Sequence, residues 1–178
     1  MERDTLSGLR DYALLSLMLT TGHRTISIIR ADVADIGTAG GSAVLYYQGK
    51  GRDEKAEYVK LAEPVEAALR AYLKARKARP GDPLFTRTAN RNAGGRMTTR
   101  SVSWIAKEAM KAAGFDSDRR AAHSLRHTAA TLNLLNGGSL EETQQLLGHH
   151  DISTTIIYSH ALERAGNESE NRIAGAIF

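Results

Sequence analysis

The stretch HSLRHTAATLNLLNGGSLEETQQLLGHHDISTTIIY, residues 123–158, decides the fold. Leu125 to Asn136 has helical composition and is closed by Gly137-Gly138, a pair that stops a helix by adopting conformations other residues avoid. Ser139-Leu140-Glu141-Glu142 then forms a capping box, in which Ser139 and Glu142 satisfy each other's free backbone donors. The helix it opens runs to Leu147, Gly148-His149-His150 interrupts it, and a short helical stretch ends near Tyr158.

Working outward, Leu6 to Thr20 places Leu9, Ala13 and Leu17 on one helical stripe with Leu14, Leu15 and Met18 beside it. Thr21-Gly22 ends that helix, and Thr25 starts a short one through Arg30. Ala43 to Gln48 and Ala56 to Leu61 are rich in Val, Tyr and Leu, with polar Gly49 to Lys55 between them, the pattern of a β-hairpin with a long charged turn. Pro64 begins a helix that carries its apolar period to about Ala78, and Pro80-Gly81-Asp82-Pro83 breaks the chain. Thr86 to Met97 reads as a loop too polar to pack. Thr98 or Thr99 caps a further helix, containing Val102, Ile105 and Ala109, that stops near Gly114. The expected class is mainly α with a small antiparallel sheet (α+β), built as one domain from 178 residues.

Composition excludes several chemistries. The chain holds no cysteine, so disulfides, thiolate metal sites, iron–sulfur clusters and a cysteine nucleophile are all ruled out. It has no apolar run of the ~18 residues a spanning helix needs, and Met1-Glu2-Arg3-Asp4 does not open a signal peptide. The net charge of +4 is unevenly placed: 14 of the 24 Lys and Arg but 4 of the 20 acidic residues lie between Arg70 and Arg126. A cationic stretch of that kind suits a polyanion, whose phosphates it neutralises with release of counterions, although a solvated helix face has the same composition.

Four of the six histidines fall in His123-Ser124-Leu125-Arg126-His127 and His149-His150. His123 and His127 share a helix face at the spacing of a zinc pair, but Ser124 stands where a zinc helix carries Glu, and no cysteine or nearby carboxylate completes a ligand set. Gly49-Lys50-Gly51 fails as a phosphate loop, because Gly51 occupies the position of its Ser or Thr and no Gly stands five residues before Gly49. Lys50 is left as a cation at a hairpin tip.

Taken in order, Thr21-Gly22-His23-Arg24, then Lys50, then His123-Ser124-Leu125-Arg126, then Leu146-Leu147-Gly148-His149, then Tyr158, the chain resembles the catalytic domain of the tyrosine recombinases, the phage-integrase family. The fit is close to the integrases of conjugative transposons. The resemblance implies site-specific recombination: duplex DNA cleaved and rejoined through a 3′-phosphotyrosyl intermediate, for integration or excision of a mobile element, with no metal or other cofactor. Under it Arg24 and Arg126 clamp the scissile phosphate, for which a guanidinium fork is matched in shape and charge. Tyr158 is the nucleophile, and its phenol, with a pKa of about 10, needs help to ionise. His123 becomes the acid/base group, Lys50 protonates the leaving 5′-oxygen, and His149 donates a hydrogen bond to the phosphate.

Three positions depart from the pattern or add to it. Family members often carry a buried acidic residue three positions after the first arginine, where this chain has Ser27. His23 stands at a position commonly leucine and reads as a tolerated surface change; His160 is assigned a packing role. The resemblance also implies that 1–178 is one catalytic domain with a tail helix over about 161–178, and without the arm-binding and core-binding domains that precede it in full integrases. The tail ends in Ile173, Ala174, Ala176, Ile177 and Phe178, and either docks on a neighbour in a homotetramer on DNA or folds back on its own core. Expected partners are duplex DNA and accessory excision or host DNA-bending proteins, with no membrane, in the bacterial cytoplasm at the nucleoid. A DNA-binding module of the same fold without catalysis, and a histidine-based metal hydrolase, are the competing readings.

Overall fold

The computed structural model describes residues 3–49, 54–88, 93–115, 122–149, 151–153, 155–158, 160 and 167–177. The chain divides into two compact units, Met1–Ala129 and Ala130–Phe178.

In the first unit, α1 (Leu6–Thr21) starts at Thr5, whose hydroxyl accepts from Gly8 N at 3.0 Å, and stops at Gly22. Gly22 is left-handed (φ 60°), and its N–H closes the helix on Met18 O at 3.0 Å. Ala13, Leu14, Leu17 and Met18 are fully buried, and α1 packs against α3 (Glu63–Ala75). Between them come α2 (Thr25–Arg30), a 3₁₀ turn at Val33–Asp35, and a three-stranded antiparallel sheet. Its strands β1 (Ile36–Ala39), β2 (Ser42–Tyr47) and β3 (Glu57–Lys60) lie in chain order, with Ile36 opposite Leu45 and Tyr47 opposite Glu57. The β2–β3 hairpin agrees with the sequence reading. Strand β1 is an addition, joined to β2 through Gly40 and Gly41, both at positive φ as a two-residue hairpin turn requires.

Pro64 sits in the first turn of α3 as expected, but the helix ends at Ala75 rather than near Ala78. Lys77 turns left-handed (φ 54°), and Ala78 N bonds back to Leu73 O at 3.0 Å, which stops the helix without glycine. The segment Thr86 to Met97 also corrects the sequence reading, because both of its ends are buried. Tyr72 Oη lies 3.0 Å from Thr86 Oγ1 and accepts from Thr86 N at 3.2 Å, and the Tyr72 ring stacks on Phe85. Local polarity misled because the partner that satisfies Thr86 lies on another helix. Arg96 ties the segment to α2, donating through Nη1 to Ile29 O (2.7 Å) and Ala31 O (2.9 Å) and through Nη2 to Asp32. Asp32 and Asp35 in turn hold Lys55 Nζ at 3.0 and 2.5 Å, anchoring the foot of the charged turn. Helix α4 (Thr99–Ala112) is capped by Thr98, whose Oγ1 accepts from Ser101 N at 3.2 Å, and buries Val102, Ile105 and Ala106.

Helix α5 (Ala122–Leu135) begins three residues earlier than the composition suggested, so His123 and His127 both lie on it. It continues into the second unit. There α6 (Leu140–Leu147) carries the expected capping box: Glu142 N to Ser139 Oγ at 3.1 Å and Ser139 N to Glu142 Oε2 at 2.7 Å. Gly148 (φ 57°) ends it, residues 155–158 are helical, and α7 (Ser169–Ile177) has no buried residue. No described helix is long and apolar enough to cross a membrane.

Candidate active site

The first unit assembles an arginine pair at the C-terminus of α1. Gly22 turns the chain there, exposing its carbonyl, and Arg126 on α5 donates to that oxygen through Nη1 at 2.6 Å. Arg126 is 5% exposed, so a buried cation meets a buried carbonyl across 104 positions of sequence. Two residues after Gly22, Arg24 caps the start of α2 in extended conformation (φ −65°, ψ 138°) and is exposed. One turn of chain thus gives the first arginine its place and the second its anchor.

His23, between Gly22 and Arg24, is not a surface residue but 6% exposed. Its Nδ1 lies 3.3 Å from Thr21 O, and its ring meets Tyr47 edge to face, with centroids 4.1 Å apart at 88°. Burial holds the imidazole neutral, with a pKa down at about 4, against the Thr21 carbonyl that favours a proton; Arg126 and Arg24 also oppose one there, and the Glu57 carboxylate favours it. The Tyr47 phenol is pushed up to about 12 by burial, by its hydrogen bond to Glu57 and by the Glu57 charge, against the pull of Arg24 and Arg126. Both arginines therefore share one electrostatic neighbourhood with His23, Tyr47 and Glu57.

His123 is exposed on α5 and meets His127 edge to face, with ring centroids 4.5 Å apart. Burial, then the neighbouring His123 and Arg126, hold the His127 pKa below the usual imidazole value. Among the described residues no group of three or more His, Asp or Glu side chains is arranged to hold a metal. Lys50 lies outside the described residues.

The second unit holds His149 and Tyr158. Gly148 turns the chain so that His149 N bonds back to Gln144 O at 3.1 Å, while Gln144 Nε2 donates to His149 O at 3.0 Å. With its backbone pinned on both sides, the His149 ring is set by Thr155, whose fully buried Oγ1 lies 2.9 Å from Nδ1. When Thr155 donates, Nδ1 accepts and the proton sits on Nε2, the tautomer that makes Nε2 a donor. Tyr158, three residues after Thr155, is 8% exposed and packs with Ala130, Leu147 and Leu134. His160 is exposed, contrary to the packing role assigned to it.

Sequence reasoning did not single out Tyr47, Glu57 or Thr155. For the first two the signal was available, since a hairpin centred on the charged turn places them opposite one another. Helix α4 carries Arg100, Trp104, Lys107 and Lys111 at positions that share one helical face, and Trp104 is exposed although it is the chain's one tryptophan.

Residues 2–164 match the model of the phage integrase family. The tyrosine recombinase XerC of Corynebacterium glutamicum is 36% identical over 92% of this chain and 51% of its own length. The tyrosine recombinase XerD of Caulobacter vibrioides is 35% identical over 89% and 52%. The chain spans about half the length of these curated relatives. In fold it is similar to the XerH site-specific recombinase bound to palindromic difH substrate in a post-cleavage complex (TM-score 0.75, 26% identity, 93% of this chain and 47% of that one). It is also similar in fold to the XerA recombinase (TM-score 0.71, 32% identity, 94% and 56%) and, in fold alone, to the Tn1549 transposon integrase (TM-score 0.61, 18% identity, 88% and 56%). With its helices, its small antiparallel sheet and the ordered residues from Arg24 to Tyr158 all in place in the sequence, this chain belongs to the phage integrase family, the tyrosine recombinases.

Proposed function

We propose that the chain is the catalytic domain, spanning 1–178, of a DNA strand transferase that recombines duplex DNA at specific sites. The observation that carries the reading is the clamp at Gly22, where buried Arg126 is anchored on Gly22 O and exposed Arg24 follows two residues on, both acting on His23, a cation-rich setting that favours an anion. In this mechanism the two guanidiniums hold the non-bridging oxygens of the scissile phosphate and stabilise the charge that grows on them in the transition state. The Tyr158 oxygen attacks phosphorus, His123 taking its proton, and the bond to the 5′-oxygen breaks. Lys50 supplies a proton to that oxygen, and His149, oriented by Thr155, donates to the phosphate. The phosphotyrosyl bond conserves the energy of the broken diester, so rejoining is the reverse attack by a 5′-hydroxyl and no metal or nucleotide is consumed.

XerH has been solved in pre-cleavage and post-cleavage complexes with its difH substrate, which supports duplex DNA as the partner here. The Arg100, Trp104, Lys107 and Lys111 face of α4 supports the same partner. A homotetramer on DNA with exchanged tails is supported by α7, where Ile173 and Ile177 are exposed. Accessory excision or DNA-bending proteins, and the bacterial cytoplasm at the nucleoid, complete the proposal. A nicked suicide duplex tests it: wild type accumulates a covalent protein–DNA adduct and Tyr158→Phe does not. An adduct of equal yield in Tyr158→Phe refutes the mechanism. DNA binding without any adduct favours the non-catalytic module.

A further inference from the structure

In the electrostatic neighbourhood of the two arginines lies a set of groups that strand transfer does not use. Tyr47 ends β2 and stands in register with Glu57, which opens β3, and the phenol donates to the Glu57 carboxylate. Tyr47 also meets the His23 ring edge to face, with centroids 4.1 Å apart. A carbonyl only accepts, so the contact of His23 Nδ1 with Thr21 O puts the proton on Nδ1 and leaves Nε2 a bare acceptor. Nε2 is buried and has no hydrogen-bond partner among the described residues. The Glu57 carboxylate lies close against the hairpin backbone: a Cβ added at Gly49 would fall 2.5 Å from its Oε1, so a side chain there makes the carboxylate shift. Arg24 and Arg126 act electrostatically on His23 and Tyr47 alike, and so does Glu57.

We infer that Glu57 is a positioning residue for the Arg24–Arg126 clamp, acting through Tyr47 and His23. Two guanidiniums gathered for one phosphate repel each other while that phosphate is absent. A fixed carboxylate and an imidazole lone pair on the protein side offset that repulsion and hold the donors aimed outward before substrate arrives. His23 suits the place because, buried and neutral, it adds no third positive charge. This inference rests on the strand-transfer reading, and its test is built to separate the two.

Single-turnover adduct formation on the nicked duplex, DNA affinity and thermal stability are measured for wild type, Glu57→Gln, Glu57→Asp, Tyr47→Phe and Gly49→Ala. Glu57→Gln is expected to slow adduct formation at saturating DNA on the order of ten- to a hundredfold, the range typical of partners that orient a charged site. Its affinity stays near wild type, and Glu57→Asp recovers part of the rate. Gly49→Ala, which displaces the carboxylate without removing its charge, slows the reaction in the same way. Rate and affinity falling together with stability, or an unchanged rate in Glu57→Gln, overturns the inference. The guanidinium nitrogen resonances of Arg24 and Arg126, recorded without DNA, shift in Glu57→Gln and Tyr47→Phe if the inference holds and stay put if it fails. Wild type forming no adduct refutes strand transfer, and these resonances then decide the role of Glu57 alone.

Discussion

Replacing His23 by leucine removes a specific dependence of stability on pH. In the folded chain the imidazole is 6% exposed and its pKa lies at about 4, against 6.5 for the free side chain. Above 6.5 it is neutral in both states and contributes no pH dependence. As pH falls from 6.5 to 4 the unfolded chain takes up a proton that the folded chain refuses, so the native state is progressively destabilised. Below 4 both states are protonated and the loss levels off. A difference of that size corresponds to about 3 kcal/mol at the limit, and to about 2 kcal/mol between roughly pH 7.5 and pH 5. Leucine fills similar volume against the Tyr47 ring. It sacrifices the weak Nδ1 contact to Thr21 O but also removes the unsatisfied Nε2, so near-neutral stability changes little. Denaturant unfolding followed by circular dichroism at both pH values, for wild type and His23→Leu, supplies the measurement. Other titrating groups are common to both proteins and cancel in the difference. Wild type should lose about 2 kcal/mol more than the variant on acidification; parallel losses would show that His23 is not the buried neutral group described here.

Thr155→Val deletes the hydroxyl 2.9 Å from His149 Nδ1 and frees the ring's tautomer; adduct formation on the nicked duplex should slow about tenfold. Ser139→Ala removes one half of the capping box on α6 and should cost about 1 kcal/mol in thermal unfolding, with little effect on cleavage rate. Arg96→Met strips the buried carbonyls of Ile29 and Ala31 of a charged donor and leaves Asp32 with Lys55 but without its guanidinium partner. Denaturant unfolding should register a loss of roughly 2 kcal/mol or more, the largest of these variants at neutral pH.

The helix boundaries that sequence reading located well are those enforced by neighbours within four residues. Thr98, Ser139, Gly22 and Gly148 each act on backbone groups of their own helix, so composition alone reveals them. Strand β1 was missed because Ile36-Gly37-Thr38-Ala39 has little β propensity of its own. Its signal was Gly40-Gly41, a hairpin turn whose partner β2 had been recognised. The burial of Thr86 and His23 left no local trace, since it comes from Tyr72 on α3 and Tyr47 on β2. Polar side chains read as surface until the group that satisfies or covers them is known.

The candidate site divides along the same line. Residue type, read through the ordered resemblance to the family, nominated Arg24, Arg126, His149 and Tyr158 as candidates. What type leaves unspecified is how a cation becomes rigid, and here that falls to backbone. Gly22 closes α1 with its N–H on Met18 O and receives Arg126 with its C=O, so ending the helix and seating the second arginine are one structural event. Gly148 does the equivalent for His149, ending α6 and turning the imidazole toward Thr155. A left-handed glycine at each place satisfies the helix end and frees a chain direction that residues with a Cβ adopt only at a cost. The glycines next to the motif residues therefore hold part of the geometry of the candidate site, and substituting either should disturb orientation before it disturbs charge.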